Sequence, residues 1–110
     1  MSLRDFINSL FAQPPAPDPT QFTSLYELQS FLKQSSIDKN QYVQTTYDCD
    51  DFARSLQREA LQWRGGRILN VQYEVLPDGR GHALNTAIIG NDWFKIEPQT
   101  DQITRLCSLD

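Results

Sequence analysis

The residues able to do covalent chemistry are few in this chain, and their order is informative. His82 is the only histidine, Cys49 is one of two cysteines, and Glu97 follows both. A cysteine attacks a carbonyl only as its thiolate, and a free thiol with a pKa of about 8.5 holds little of that form near neutrality. The first turn of a helix supplies unpaired N–H groups and a positive dipole end, and both favour the anion. A facing imidazole adds a charge partner and a proton acceptor, and it needs an acceptor behind its far nitrogen. Cys49 at the start of a predicted helix, His82 on a predicted strand and Glu97 at the end of the next strand fit those roles of nucleophile, base and orienting carboxylate. The corresponding chemistry is acyl transfer from an amide.

Acyl transfer builds negative charge on oxygen, so donors must converge on it. The backbone N–H of Cys49 is the natural first donor, with Gln44 or Tyr47 on the approach loop as candidates for the second. Asn85 is a further polar candidate, but in a regular strand it faces away from His82 and is expected to support the site from the layer behind it or from its rim. Asp92 and Asp101 are remoter rivals of Glu97 for the imidazole. One histidine and two cysteines at positions 49 and 107 lack the closely paired ligands typical of zinc, so no metal is expected. Neither a P-loop nor a dinucleotide fingerprint occurs, and no cofactor is expected. Trp63 and Trp93 read either as groove walls or as core.

Hydrophobic periodicity supplies the elements that must position these residues. Leu3, Phe6, Ile7, Leu10 and Phe11 recur at helical spacing behind the capping pattern Ser2-Leu3-Arg4-Asp5. Pro14, Pro15, Pro17 and Pro19 then make an extended, semi-rigid connector. Residues 1–19 are therefore read as an amphipathic helix plus linker, able to dock on its own domain or on a partner, and residues 20–110 as a single domain. Ser24-Leu25-Tyr26-Glu27 repeats the capping pattern ahead of a second helix with Leu25, Leu28, Phe31 and Leu32 inward. Residues 36–44 form a polar loop. Asp48 caps the third helix and Asp51 holds its acidic third position. Cys49, Phe52, Ala53, Leu56, Ala60 and Trp63 lie along or near one stripe of it, and Gly65-Gly66 stops it. From there the period becomes two: strands over Arg67 to Leu76, His82 to Ile89, Asp92 to Glu97 and Gln102 to Leu106, joined by short turns that make them antiparallel. The predicted class is α+β, with N-terminal helices and the Cys49 helix packed on a three- to four-stranded antiparallel sheet.

The bulk properties narrow the possibilities. At 110 residues the chain can build one core, and 39% hydrophobic with 22% charged residues suits a globular protein. A net charge of -4 offers no basic stripe to a phosphate backbone, so nucleic acid is not an expected partner. No apolar run is long enough for a membrane span, and the N-terminus lacks the apolar core and cleavage site of a signal peptide. A cytoplasmic location, the host cytoplasm for a viral chain, with Cys49 as a free thiol is the expectation; counting alone leaves a bridge between Cys49 and Cys107 open.

Tyr47-Asp48-Cys49-Asp50-Asp51-Phe52-Ala53, then His82-Ala83-Leu84-Asn85, then Trp93-Phe94-Lys95-Ile96-Glu97-Pro98 resemble the transglutaminase-like core of the papain-like superfamily. In that family a nucleophilic cysteine opens a helix, a histidine strand follows, and a strand of the form Trp-x-x-x-Asp-Pro supplies the acid. The resemblance implies a nucleophile at Cys49, a base at His82 and an orienting carboxylate at Glu97, where glutamate replaces the usual aspartate and asks for a different strand offset. It spans nearly half the chain. It implies a thiol-dependent hydrolase of amide, peptide or isopeptide bonds with a protein or peptide substrate. The alternatives are a catalytically inactive binding or accessory module and a crosslinking acyltransferase.

Overall fold

A computed structural model describes Leu3 and residues 18–43 and 48–109, in the order helix α1 (Leu25–Gln34), a 3-10 turn (Ile37–Lys39), helix α2 (Cys49–Gln62) and strands β1 (Asn70–Val75), β2 (Gly81–Ile89), β3 (Asp92–Glu97) and β4 (Gln102–Ser108). The four strands form one antiparallel sheet in sequence order, with α2 packed on it, which is the predicted α+β architecture. The amphipathic helix and proline linker expected over residues 1–19 fall almost wholly outside the described residues.

Helix α1 starts where expected. Ser24 Oγ accepts the Glu27 N–H at 3.0 Å, while the Glu27 carboxylate accepts the Thr23 N–H at 3.1 Å instead of closing a full capping box. Leu28, Phe31 and Leu32 are buried, whereas Leu25 is an exposed member of the predicted stripe. Helix α2 ends before Gly66, whose backbone has φ +104; a Cβ there would stand 3.1 Å from the Leu61 carbonyl and 3.2 Å from Pro19 Cα. Glycine thus meets both the left-handed backbone and the close passage of the chain entering the domain.

The first strand is shorter than the alternation suggests. Arg67 N–H bonds to the last turn of α2 through the Ala60 carbonyl at 2.8 Å, and Ile68 N–H bonds to Thr20 O at 2.9 Å. Thr20 therefore pairs in parallel with Arg67, and β1 begins only at Asn70. At the other end β4 runs on to Ser108. Phe22, Leu28, Phe31, Leu32, Leu56, Ala60, Leu69, Ala87, Ile89, Phe94 and Ile96 make one core between the helices and the sheet.

Three side-chain contacts set the direction of α2. Arg54 Nη2 donates to Tyr73 Oη (3.3 Å), Gln57 Nε2 to Leu69 O (3.0 Å), and Asn85 Nδ2 to Ala53 O (2.9 Å). Moving along α2 thus means moving backwards along β1 and, because β2 is antiparallel to β1, forwards along β2. From Ala53 back to Cys49 is about 6 Å of helix, and from Asn85 back to Ala83 is about 7 Å of strand. The first turn of α2 consequently overhangs the start of β2, where His82 lies.

A second long-range tie was not anticipated. Arg67 Nε donates to Glu27 Oε1 at 2.6 Å and Nη2 to Oε2 at 3.2 Å, a forked pair joining α1 to the segment after α2. The bond from Arg67 holds the Glu27 carboxyl down at about 2, against an ordinary 4.5. The unfolded chain therefore takes up this proton first as pH falls. The pair's contribution is complete above the ordinary value and lost on descending to about 2. Glu27→Gln is expected to cost about 2 kcal/mol at neutral pH and to flatten the acid limb of stability in urea unfolding across the acid range.

Candidate active site

Asp48 builds the helix end that carries the sulfur. Its Oδ1 accepts the N–H groups of Asp50 (3.1 Å) and Asp51 (3.4 Å), and Asp51 Oδ2 in return accepts the Asp48 N–H at 3.0 Å. The Phe52 N–H is already bonded to the Asp48 carbonyl at 3.1 Å. Of the N–H groups in this first turn, that of Cys49 remains without a partner among the described residues. Cys49 is half-buried and Cys107 exposed, and both are free thiols, so the 49–107 bridge is not formed.

On the sheet, His82 Nε2 meets Glu97 Oε2 at 2.5 Å, with both side chains largely buried at 17% and 25% exposure. The register explains the reach. Asn85 pairs with Ile96, so the next step of the ladder sets Glu97 opposite Leu84, on a diagonal from His82. Diagonal partners lie about 7–8 Å apart, a gap for a long side chain. The other carboxylate oxygen of Glu97 accepts the Gln99 N–H at 3.2 Å, and the Glu97 carbonyl accepts the Asp101 N–H at 2.8 Å, so the turn after β3 holds the acid from behind.

Cys49 and His82 share the walls of an open cavity of about 580 Å³, completed by Tyr42, Leu76, Arg80, Gly81 and Gln99. A smaller adjoining cavity of about 370 Å³ is lined by the same Tyr42, Cys49, Gly81 and His82 together with Asp48, Asp50, Tyr73 and Ala83. The structure thus joins His82 to Glu97 and puts Cys49 on the same cavity wall as His82, with no hydrogen bond between sulfur and imidazole. The Tyr42 ring stacks on the buried Phe52 at 6.5 Å between centroids, and so is anchored to α2 while facing the cavity.

The other candidates separate. Gln44 and Tyr47 lie outside the described residues. Asn85 is fully buried and turns its amide beneath α2, to the carbonyls of Ala53 and, at 3.4 Å, Asn70, rather than towards the imidazole. Asp92 pairs with Arg105 at 2.9 Å. Asp101 is pushed up to about 6 by burial and by the neighbouring carboxylates of Asp38 and Glu59, at a place removed from His82. Trp63 is no groove wall: it packs against Phe22 and Phe31 at the far end of α2, under the Arg64 guanidinium. Trp93 pairs with Ile88 and Cys107 and lines neither cavity. Sequence reasoning passed over Tyr42, Tyr73, Arg80 and Gln99; a polar loop and a hairpin tip carry no periodicity to mark them, although the flanking of His82 by Arg80 could have drawn notice. Among the described residues no group of three or more His, Cys, Asp or Glu side chains is placed to hold a metal. Nor, among those residues, is any helix long and apolar enough to cross a membrane.

No protein-family model matches the sequence, and no curated protein matches it. Solved structures do. One, described as a PSL1a-E64 complex, superposes with a TM-score of 0.67 at 18% identity, over 94% of this chain and 45% of that one. Another, a Polyporus squamosus lectin bound to the human-type influenza-binding epitope Neu5Aca2-6Galb1-4GlcNAc, gives 0.62 at 21% identity over 72% of this chain and 32% of that one. This chain spans less than half the length of either. The likeness is one of fold.

Proposed function

We propose that this chain is a thiol-dependent hydrolase of an amide, peptide or isopeptide bond, with Cys49 as nucleophile, His82 as base and Glu97 as orienting carboxylate. The observation that carries the reading is the 2.5 Å His82–Glu97 pair, with His82 on the wall of a cavity that Cys49 also lines. With Glu97 accepting from Nε2, the neutral ring keeps its lone pair on Nδ1 for the thiol proton. Sulfur then bonds to the carbonyl carbon, and the oxygen takes the charge. The Cys49 N–H, without a partner among the described residues, and a second donor from Gln44 or Tyr47 stabilise that oxyanion. Collapse breaks the carbon–nitrogen bond, the imidazolium returns its proton to the leaving amine, and water hydrolyses the thioester to free the acid and the thiol. Asn85 acts from behind, holding α2 over β2.

Two further considerations bear on the reading. A structural neighbour is described as a complex with E64, which makes E64 a probe to apply here. The lectin's glycan belongs to a chain of which this one spans 32%, and no such ligand is carried over. The lack of a hydrogen bond between sulfur and imidazole favours, as the second reading, an inactive binding module on the same scaffold. Crosslinking would further require an amine acceptor in place of water.

The test has an internal standard, because Cys107 is an exposed thiol in the same molecule. Limited iodoacetamide or E64 followed by peptide mass mapping is expected to modify Cys49 at least about a hundredfold faster than Cys107 near neutral pH. Equal rates at the two cysteines would leave the binding module as the reading.

A further inference from the structure

The larger cavity beside Cys49 has an unusual charge for this chain. The protein carries a net charge of -4, yet among the described residues the cavity's walls contain no aspartate or glutamate. Among the described residues its formal cation is Arg80, and Gln99 and Tyr42 add an amide and a phenol to the same walls. Leu76 and the face of Tyr42 supply the apolar remainder.

Arg80 stands exposed at the hairpin between β1 and β2, paired with Asp78 of the same turn. Asp78 Oδ1 accepts its backbone N–H at 3.1 Å, and Asp78 Oδ2 accepts Nε at 2.6 Å. The backbone below is closed by Leu76 N–H to Arg80 O and Gly79 N–H to Leu76 O, both at 2.8 Å. Because Asp78 takes the inner edge of the guanidinium at Nε, the N–H groups of the terminal nitrogens remain for a ligand. Gln99 is tied to the catalytic pair through its backbone bond to Glu97. The Arg80 side of the cavity is therefore built on the same turn and hairpin as His82 and Glu97.

We infer that Arg80, with Gln99 and Tyr42, forms a carboxylate-binding subsite beside Cys49, so that the site selects acyl compounds bearing a carboxylate close to the scissile bond. The carboxylate comes from an acidic side chain or from a peptide's free C-terminus; both present the same planar pair of oxygens to the guanidinium. Asp78 offsets part of the long-range attraction, so recognition rests on directed hydrogen bonds. This inference uses the cavity of the proposed function, but its test does not depend on turnover.

The experiment uses the full chain with Cys49→Ala on an array of pentapeptides carrying Glu, Gln or Lys at each position, with C-termini free or amidated. Glu is expected to bind about tenfold more tightly than Gln at one position, or free termini than amidated ones, and which of the two occurs identifies the source of the carboxylate. Arg80→Gln should erase the preference, and Arg80→Lys should keep a part of it. No binding to any peptide, absence of a carboxylate preference, or its persistence in Arg80→Gln overturns the inference. A carboxylate preference alongside equal labelling of the two thiols would retain the subsite and reject the hydrolase, so the two failures are told apart.

Discussion

His82→Ala is expected to abolish turnover and to bring the alkylation rate of Cys49 down to that of Cys107. The imidazole has two tasks in the proposed reaction: it takes the thiol proton before attack and returns it to the leaving amine. General acid–base groups contribute about 10²–10⁴-fold each, and losing one group that serves both steps removes both contributions together. Cys49→Ala should abolish turnover as completely while leaving the fold unchanged, since Cys49 lies at a half-exposed helix end and the capping bonds of Asp48 and Asp51 do not involve its side chain. Circular dichroism and unfolding midpoints check the second statement, and thiol mapping the first. A His82→Ala protein whose Cys49 remains hyper-reactive would assign the activation to the helix end alone and take the base away from His82.

Asn85→Ala should give the largest loss of stability among the polar positions around the site. Asn85 is fully buried, and its Nδ2 bonds both to Ala53 in α2 and to Asn70 in β1, tying helix and neighbouring strand to β2. Truncation removes these bonds and leaves a void beneath α2, for a cost of about 2–4 kcal/mol. For a domain of this size that lowers the melting temperature by roughly 10 °C or more. Asn85→Leu should recover much of the loss, because it fills the space and also removes the buried Oδ1, which has no partner among the described residues. Equal melting temperatures for the alanine variant and the parent protein would show that the core positions α2 without this bond.

Much of the arrangement could be read from residue order. Asp48 and Asp51 announce a helix start, and the full capping box that forms places Cys49 in the first turn. The sheet was equally legible, because short turns at residues 77–80 and 90–91 leave antiparallel pairing as the only connection. Glu97 could be chosen over Asp92 and Asp101 by its place at the end of a strand adjacent to that of His82. These are local properties: capping, period and turn length act within a few residues.

What the tertiary structure alone decided depends on distance across the fold. The diagonal that lets Glu97 reach His82 follows from strand register, which no local pattern specifies to one residue. Asn85 turns beneath α2 because that helix happens to lie over it, and Glu27 finds Arg67 only after both helices have packed. Tyr42 and Arg80, one on a loop and one at a hairpin tip, acquire meaning when the chain closes a cavity around Cys49 and His82. Residue type and spacing determined which groups were available and on which elements they stand; packing of those elements determined which groups meet, since contact between distant segments is set by the summed burial of the core rather than by either segment alone.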